Sequence, residues 1–352
     1  MSRSEKKNPF GFINGLFKKK PNEVQSDPGY IENLKQYDFM MNSPENAIPE
    51  TKIYSHVHAF LDKCSIKDSK AVGEDGRVRK VLFLGFDGMR PDMLPLVCSD
   101  SNNAKTDVGG IDVLRQKGGI YFGYCGGETG TKTQETTSTS ASWTSQFTGV
   151  WGEKHSIKTN DDTKNLTYKT FMLEYAEKGL HTSLAFAWDQ YFDVNLKEEV
   201  KYVYNRSLPM TFCDIDRVKK TKLEKTRAET LELYNFVTPE KPVSASPYDV
   251  GIRDFVIDRI NADDSVICAI FDSIDSAGHR YGFGVSGEYK NAAVTCDMYS
   301  RSVLNAVKER VEKYNEEWLC IFANDHGGLG RDHGRQNPEE KMTWIATNIP
   351  IE

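Results

Sequence analysis

The sequence predicts a doubly wound α/β fold: a mostly parallel central sheet with helices on both faces. Two observations predict it. Four apolar runs, at 81–86, 183–188, 265–271 and 318–323, are continuous rather than alternating, as expected of strands buried on both faces. Helix-like patterns precede three of them, in TFMLEYAEKGL, in DVGIRDFVIDRI and across 291–315, and helix-then-strand alternation is the pattern of crossover-connected parallel strands.

The ordered body is expected to begin at KVLFLGFDG, so the chain divides into an N-terminal extension over 1–75, partly disordered or helical, and a catalytic domain over 76–352. Short helices are expected in IENLKQYDFMM and YSHVHAFLDKC. His56 and His58 in the second lie two apart, on different faces of a helix, and do not suit a shared metal. The polar, charged stretch at about 192–245 reads as a peripheral insertion with a solvated face.

A net charge of −6 over 352 residues disfavours a general nucleic-acid binder but not a small phosphorylated substrate, because bound cations reverse a local field. The seven cysteines are odd in number and form no CxxC, which argues against a disulfide framework or thiolate zinc site and for a reducing, cytoplasmic setting. No apolar run reaches the roughly 18 residues that cross a bilayer. The opening MSRSEKKNPFGFINGLFKKK reads as a basic tail rather than a signal peptide. Phe10, Phe12, Ile13, Leu16 and Phe17 between lysines give it a second reading, as a contact with an anionic membrane surface. No heptad or apolar surface stripe sets an oligomeric state.

Three of the four runs end in carboxylates: Asp87 after the first, Asp272 and Asp275 after the third, Asp325 after the fourth. Carboxyl ends of strands in an open α/β sheet point into the ligand crevice. Like charges gathered there repel, and metal ions are the natural means of holding them together. His279, His326 and His333 fall in the same segments, and a mixed Asp/His set suits zinc, with manganese second. The Ser/Thr-rich stretch 126–149 runs into Trp143 and Phe147 at helical intervals, so it reads as a loop entering a helix with hydroxyls at its N-terminus. A metal-held hydroxyl there is a nucleophile near neutral pH.

The ordered motifs FDGMRPD, TSTSASWTSQFTG, DSIDSAGHRYG and NDHGGLGRDHG, spanning about 78–348, resemble the alkaline phosphatase superfamily in its nucleotide pyrophosphatase and type I phosphodiesterase branch. The resemblance implies an alkaline-phosphatase-like fold and a nucleophile nine residues before the Thr of Thr148-Gly149. That selects Thr139, with Thr137, Ser138 and Ser140 the neighbours a shift in register would choose. It implies two divalent ions, one held by Asp275, His279 and His333, the other by Asp87, Thr139, Asp325 and His326. Asn160, 21 residues after Thr139, is implied to bind the transferred phosphate, His155 to be structural, and Asp272 to support the ligands or the packing. The implied activity is hydrolysis of phosphodiester or nucleotide pyrophosphate bonds through a phosphothreonine. The same metal frame also serves phosphomonoesterases, phosphonate hydrolases and phosphotransferases. A non-catalytic protein that binds a phosphorylated ligand or a partner protein is the alternative of another class.

Three features depart from the family pattern. Pro and Asn commonly follow the nucleophile, whereas here the chain reads Thr139-Ser-Ala-Ser-Trp143. The Cys/Ser-x-Pro-x-Arg type of sulfatase signature and the Asp-Ser-Ala of phosphomonoesterases are absent. The family is expected to continue into another strand and helix beyond Glu352.

Overall fold

The computed structural model describes residues 26–98, 109–215 and 247–352. The basic N-terminal segment and most of the expected insertion lie outside the described residues.

Among the described residues ten strands form one sheet: β1 (Ile48–Pro49), β2 (Ser65–Lys67), β3 (Lys70–Val72), β4 (Val78–Phe86), β5 (Ile120–Tyr124), β6 (Thr182–Phe186), β7 (Met210–Asp214), β8 (Val266–Phe271), β9 (Glu316–Ala323) and β10 (Met342–Thr347). Its order is β1-β5-β10-β9-β4-β8-β6-β7, and β2 and β3 form a hairpin on the start of β4. Strands β9, β4, β8, β6 and β7 are mutually parallel, whereas β10 runs antiparallel to both neighbours.

The continuous apolar runs are strands buried on both faces. Leu82, Leu84 and Phe86 of β4, Ile267, Ala269 and Phe271 of β8, and Cys320 and Phe322 of β9 enter one core. The alternate residues Val81 and Phe83, Val266, Cys268 and Ile270, and Leu319 and Ile321 enter the other. Period-two alternation thus distributes one run between two cores.

Helices α1 (Tyr30–Leu34), α3 (Leu94–Val97), α4 (Gly110–Lys117), α9 (Pro247–Asn261), α10 (Ser273–Tyr281) and α11 (Gly287–Lys313) cover the first face. The second is covered by α2 (Lys52–Leu61), α5 (Thr139–Thr148), α7 (Phe171–Glu177) and α8 (Lys197–Arg206). The short helices α6 (Gly152–His155) and α12 (Pro338–Lys341) sit in loops. No helix among the described residues is long and apolar enough to cross a membrane.

Segment 26–75 is built into this body: β1 pairs with β5, β3 pairs with β4, and Tyr30, Leu34, Ile53 and Val57 are buried. Its elements are too short to show a sheet-like pattern in the sequence. The stretch expected as an insertion from 192 likewise begins within the fold, because α8 leads into β7, which pairs with β6 as the sheet's edge. An edge strand with a half-exposed face, after a helix burying only Glu199 and Val203, accounts for its polar composition. The long amphipathic pattern at 291–315 is α11.

Candidate metal centre

The three carboxylate-bearing strand ends are neighbours. Strand β4 lies between β9 and β8, with Gly85 opposite Ala323 and Phe86 opposite Phe271. Adjacent strands are about 4.8 Å apart, so the residues that follow emerge together.

Asp87 leaves β4 in a turn where Gly88 has φ +69°, and a side chain on Gly88 would stand 2.8 Å from Asp275 Oδ1. Glycine thus allows the two segments to approach. Asp325 Oδ1 accepts from the amides of Gly88 (3.0 Å) and His326 (2.8 Å), which fixes that carboxylate and leaves Oδ2 aside. His326 Nε2 lies 3.4 Å from Asp325 Oδ2, 3.5 Å from Asp87 Oδ1 and 3.3 Å from Thr139 Oγ1.

Asp275 and His279 stand one turn apart on α10, with His279 Nε2 3.2 Å from Asp275 Oδ2. His333 arrives from the loop after β9 and sets Nε2 3.8 Å from Asp275 Oδ1. In each group, Asp87 with Asp325 and His326, and Asp275 with His279 and His333, the donor atoms lie within 4.8 Å of one another. The His326 and His333 rings stack at 3.9 Å between centroids, so the groups are contiguous.

All three histidines are oriented alike. Nδ1 faces a backbone carbonyl in each: Gly327 for His326 (2.8 Å), Arg331 for His279 (2.9 Å) and Thr137 for His333 (2.9 Å). A carbonyl only accepts, so Nδ1 carries the hydrogen and a neutral ring turns its Nε2 lone pair toward carboxylate oxygens. Of those oxygens, Asp87 Oδ1, Asp275 Oδ1 and Asp325 Oδ2 are buried with no hydrogen-bond partner among the described residues. Lone pairs set against buried anions are costly unless a cation lies among them. The residues therefore fit a pair of divalent ions, and oxygen and imidazole donors suit zinc.

The electrostatics agree for His326 and His333. Burial, then the charges of Asp325 and Asp275, hold Asp87 well above the carboxylate range. Burial foremost pushes Asp325 up to about 7. Burial lowers His326, and burial with the neighbouring His326 brings His333 down to about 4, so both rings are neutral at pH 7. Asp275 and His279 behave as an ion pair. Burial would raise Asp275, but His279 and then His333 outweigh it and hold the carboxyl low. Burial would lower His279, but Asp275 lifts it to about 9.

Helix α5 carries the hydroxyls. Its residues are all buried, and three of its polar side chains are tied up: Ser140 Oγ with Asn195 Oδ1 (2.8 Å), Ser145 Oγ with Glu135 Oε1 (2.7 Å), and Gln146 Nε2 with Glu50 Oε2 (3.0 Å), whereas Ser142 Oγ is buried without a partner among the described residues. Thr137 Oγ1 donates to the Arg335 carbonyl and Ser138 Oγ pairs with Thr136 Oγ1. Thr139 is thus the hydroxyl of this group set against His326. Asn160 Oδ1 accepts from the Ser140 amide (2.9 Å), which ties Asn160 to the first turn of α5, and its Nδ2 has no partner among the described residues.

His155 stands apart from both groups, fully buried, with Nδ1 accepting from the Ile157 amide and Nε2 2.9 Å from Ser145 Oγ. Asp272 precedes α10 and accepts from Ser276 Oγ. Several supporting residues carry little signal in the sequence. Trp143 turns its indole N–H toward Asp87 Oδ2, and Glu135 joins Ser145 and the Gly152 amide. Glu135 is one of two carboxylates in the Ser/Thr-rich loop, with Glu128, and nothing local separates them; Trp143 gives no signal beyond an apolar helix face.

The family model described as type I phosphodiesterase / nucleotide pyrophosphatase matches residues 81–334. No curated protein matches the sequence. Among solved structures, the phosphonate monoester hydrolase of Agrobacterium radiobacter aligns with TM-score 0.47 and 11% identity over 77% of this chain and 68% of that one. Murine ectonucleotide pyrophosphatase / phosphodiesterase 5 aligns with TM-score 0.42 and 16% identity over 70% of this chain and 57% of that one. Phosphonoacetate hydrolase from Sinorhizobium meliloti 1021, in complex with phosphonoacetate, aligns with TM-score 0.41 and 13% identity over 74% and 60%. The chain therefore spans less than two thirds of the latter two proteins.

Proposed function

Because the chain belongs to the type I phosphodiesterase / nucleotide pyrophosphatase family, a family of phosphoester hydrolases, we propose that it cleaves phosphodiester or nucleotide pyrophosphate bonds with Thr139 as nucleophile. The observation that supports this most directly is the placement of Thr139 Oγ1 3.3 Å from His326 Nε2, within the group that also contains Asp87 and Asp325.

Asp87, Asp325, His326 and Thr139 would hold one divalent ion, and Asp275, His279 and His333 a second; when bound, zinc supplies Lewis acidity that makes a hydroxyl acidic and neutralises phosphoryl charge. Thr139 Oγ1 forms a bond to phosphorus and gives up its proton to solvent as the ester oxygen leaves with its electron pair and is protonated there. The resulting phosphothreonine is hydrolysed by water, which returns the hydroxyl and releases the phosphoryl group. Asn160 offers Nδ2 to a non-bridging oxygen, held in place because its Oδ1 is fixed by Ser140 N. Free amides in the first turn of α5 favour the same anion. The Nδ1 contacts to Gly327, Arg331 and Thr137 keep the three rings in one tautomer throughout.

The test is hydrolysis of bis-p-nitrophenyl phosphate and p-nitrophenyl phosphate by wild type and Thr139→Ala, with zinc content measured in both. Zinc near two per chain, a preference for the diester and at least a roughly thousandfold loss in Thr139→Ala support the proposal. Full turnover by Thr139→Ala, or activity that survives exhaustive chelation, overturns it. Preference for the monoester instead assigns the site to a phosphomonoesterase.

A further inference from the structure

The loop that follows α10 turns two apolar side chains out to solvent beside the second ligand group. Gly282 (φ +113°) and Gly284 (φ +75°) bend the chain so that Phe283 is buried, while Tyr281 and Val285 on either side of it are 42% and 75% exposed. A side chain on Gly282 would lie 3.4 Å from Val285 Cγ2, so Val285 closes on the turn that carries Tyr281. Single exposed apolar residues are ordinary, but these two share their surface with cations. Arg280 lays its guanidinium over the Tyr281 ring, 5.3 Å from the centroid. Arg331, whose carbonyl faces His279 Nδ1, is exposed. Neither arginine forms an ion pair among the described residues. Of the nearby acids, Asp332 gives Oδ1 to the His333 amide, and Glu288 in the first turn of α11 is offset by Lys290.

The N-terminal segment joins the fold at the same place. Ser26 Oγ donates to Glu339 Oε2 (2.8 Å) and the Asp27 amide to Glu339 Oε1 (2.5 Å). A side chain on Gly327 would meet both the Glu339 carbonyl and Arg90 Cγ. The Arg90 guanidinium lies 4.8 Å over the Tyr30 ring, and a side chain on Gly284 would stand 2.6 Å from it. Residues 26–30 therefore enter the structure against the loop that displays Val285. The sequence before them sets Phe10, Phe12 and Phe17 between Lys6 and Lys7 on one side and Lys18, Lys19 and Lys20 on the other, against two acids, Glu5 and Glu23.

We propose that loop 281–285 and the N-terminal segment form one docking surface for an anionic lipid bilayer. Val285 and the N-terminal rings supply apolar contact at the headgroup boundary, Tyr281 is suited to headgroup level, and Arg280, Arg331 and the lysines meet acidic headgroups. A net charge of −6 makes the attraction a local one, set by this corner of the molecule. One weak signal gives marginal attachment to a bilayer, whereas two together hold. A turn with outward apolar residues and a basic segment entering beside it are two such signals in one place. His279 lies two residues before Tyr281, so the second ligand group is set towards the same surface. The inference concerns binding alone and stands apart from the proposed hydrolysis.

The experiment is co-sedimentation of the full chain with vesicles of phosphatidylcholine alone or with about 30 mol% phosphatidylserine. Wild type is expected to partition at least tenfold more strongly onto the anionic vesicles, and less so as salt is raised. Val285→Asp, at an exposed position, and the triple variant Lys18→Glu, Lys19→Glu, Lys20→Glu are each expected to lose about tenfold in partitioning, while Val285→Leu retains it. Unchanged far-ultraviolet dichroism shows that the variants are folded. Equal partitioning onto both vesicle types, or none, overturns the docking surface. So does loss in the lysine variant with full binding by Val285→Asp, which leaves the N-terminal segment acting alone. Binding to a single-stranded oligonucleotide in place of vesicles assigns the basic segment to nucleic acid, and a dimer in sedimentation that Val285→Asp dissolves assigns the loop to a second copy; either result also overturns the proposal.

Discussion

Trp143 packs its indole over Gly85 and points Nε1 at Asp87 Oδ2, 3.5 Å away, so a helix on one face of the sheet steadies a carboxylate at the end of its central strand. A methyl group on Gly85 would come within 2.5 Å of the Trp143 ring, so a side chain at that position in β4 would have to displace the indole.

Trp143→Phe keeps most of the packing and removes the N–H. Zinc affinity or kcat/KM is expected to fall roughly tenfold with the far-ultraviolet dichroism unchanged. Gly85→Ala, by overpacking, is expected to cost about 1–3 kcal/mol in urea unfolding.

A side-chain change confined to one ligand group is expected to weaken that group first. His279→Ala, exposed on one side of the second group, should reduce bound zinc from two towards one per chain, measured by atomic emission after dialysis. Asp325→Ala removes a carboxylate fixed by two amides in the first group and should lower zinc binding while leaving an unpaired turn at Gly88. Two zincs retained in both variants would contradict the ligand assignment.

Asn160→Ala should lower kcat/KM on bis-p-nitrophenyl phosphate about 10- to 100-fold, with the loss mainly in kcat. Asn160→Asp places an anion near the phosphoryl oxygens and should lose more. Equal activity in the three proteins would show that Asn160 serves only to hold Ser140.

Stability of the chelated protein is expected to fall as pH rises from about 6.5 to 8. Burial foremost lifts Glu135 to about 8, Glu199 to about 7 and Asp297 to about 7. In this window the folded state keeps protons that the unfolded chain has released, so the proton count is higher in the native state and unfolding free energy declines with pH. Burial lowers His155 to about 3 and His333 to about 4 with the opposite sign, but their effect is complete once the unfolded imidazole has titrated near pH 6.5. Urea midpoints across the window check this, and Glu199→Gln should flatten the slope. A midpoint rising with pH would contradict it.

The strands with most to say in the sequence were those buried on both faces. β4, β6, β8 and β9 appear as unbroken apolar runs, and the carboxylates after three of them follow from sheet topology. Strands β5 and β10 show no such run, since IYFGY and MTWIAT mix glycine, threonine and rings over short spans. The proximity of Thr139 to His326 depends on α5 crossing the second face, which no local spacing encodes. Neither does the choice among Thr137, Ser138, Thr139 and Ser140, because their different partners are long-range contacts.

The reversed strand β10 has a bearing on how the two ligand groups live or fail together. Because it returns beside β9, with Ile345 opposite Ala323, the connection 324–341 is anchored at both ends in paired backbone. Tethered ends limit the conformations this segment can lose on ordering, and it delivers Asp325 and His326 to one group and His333 to the other. A single backbone nick within it would free both anchors from each other, so limited proteolysis there should release the two ions in one event rather than in sequence.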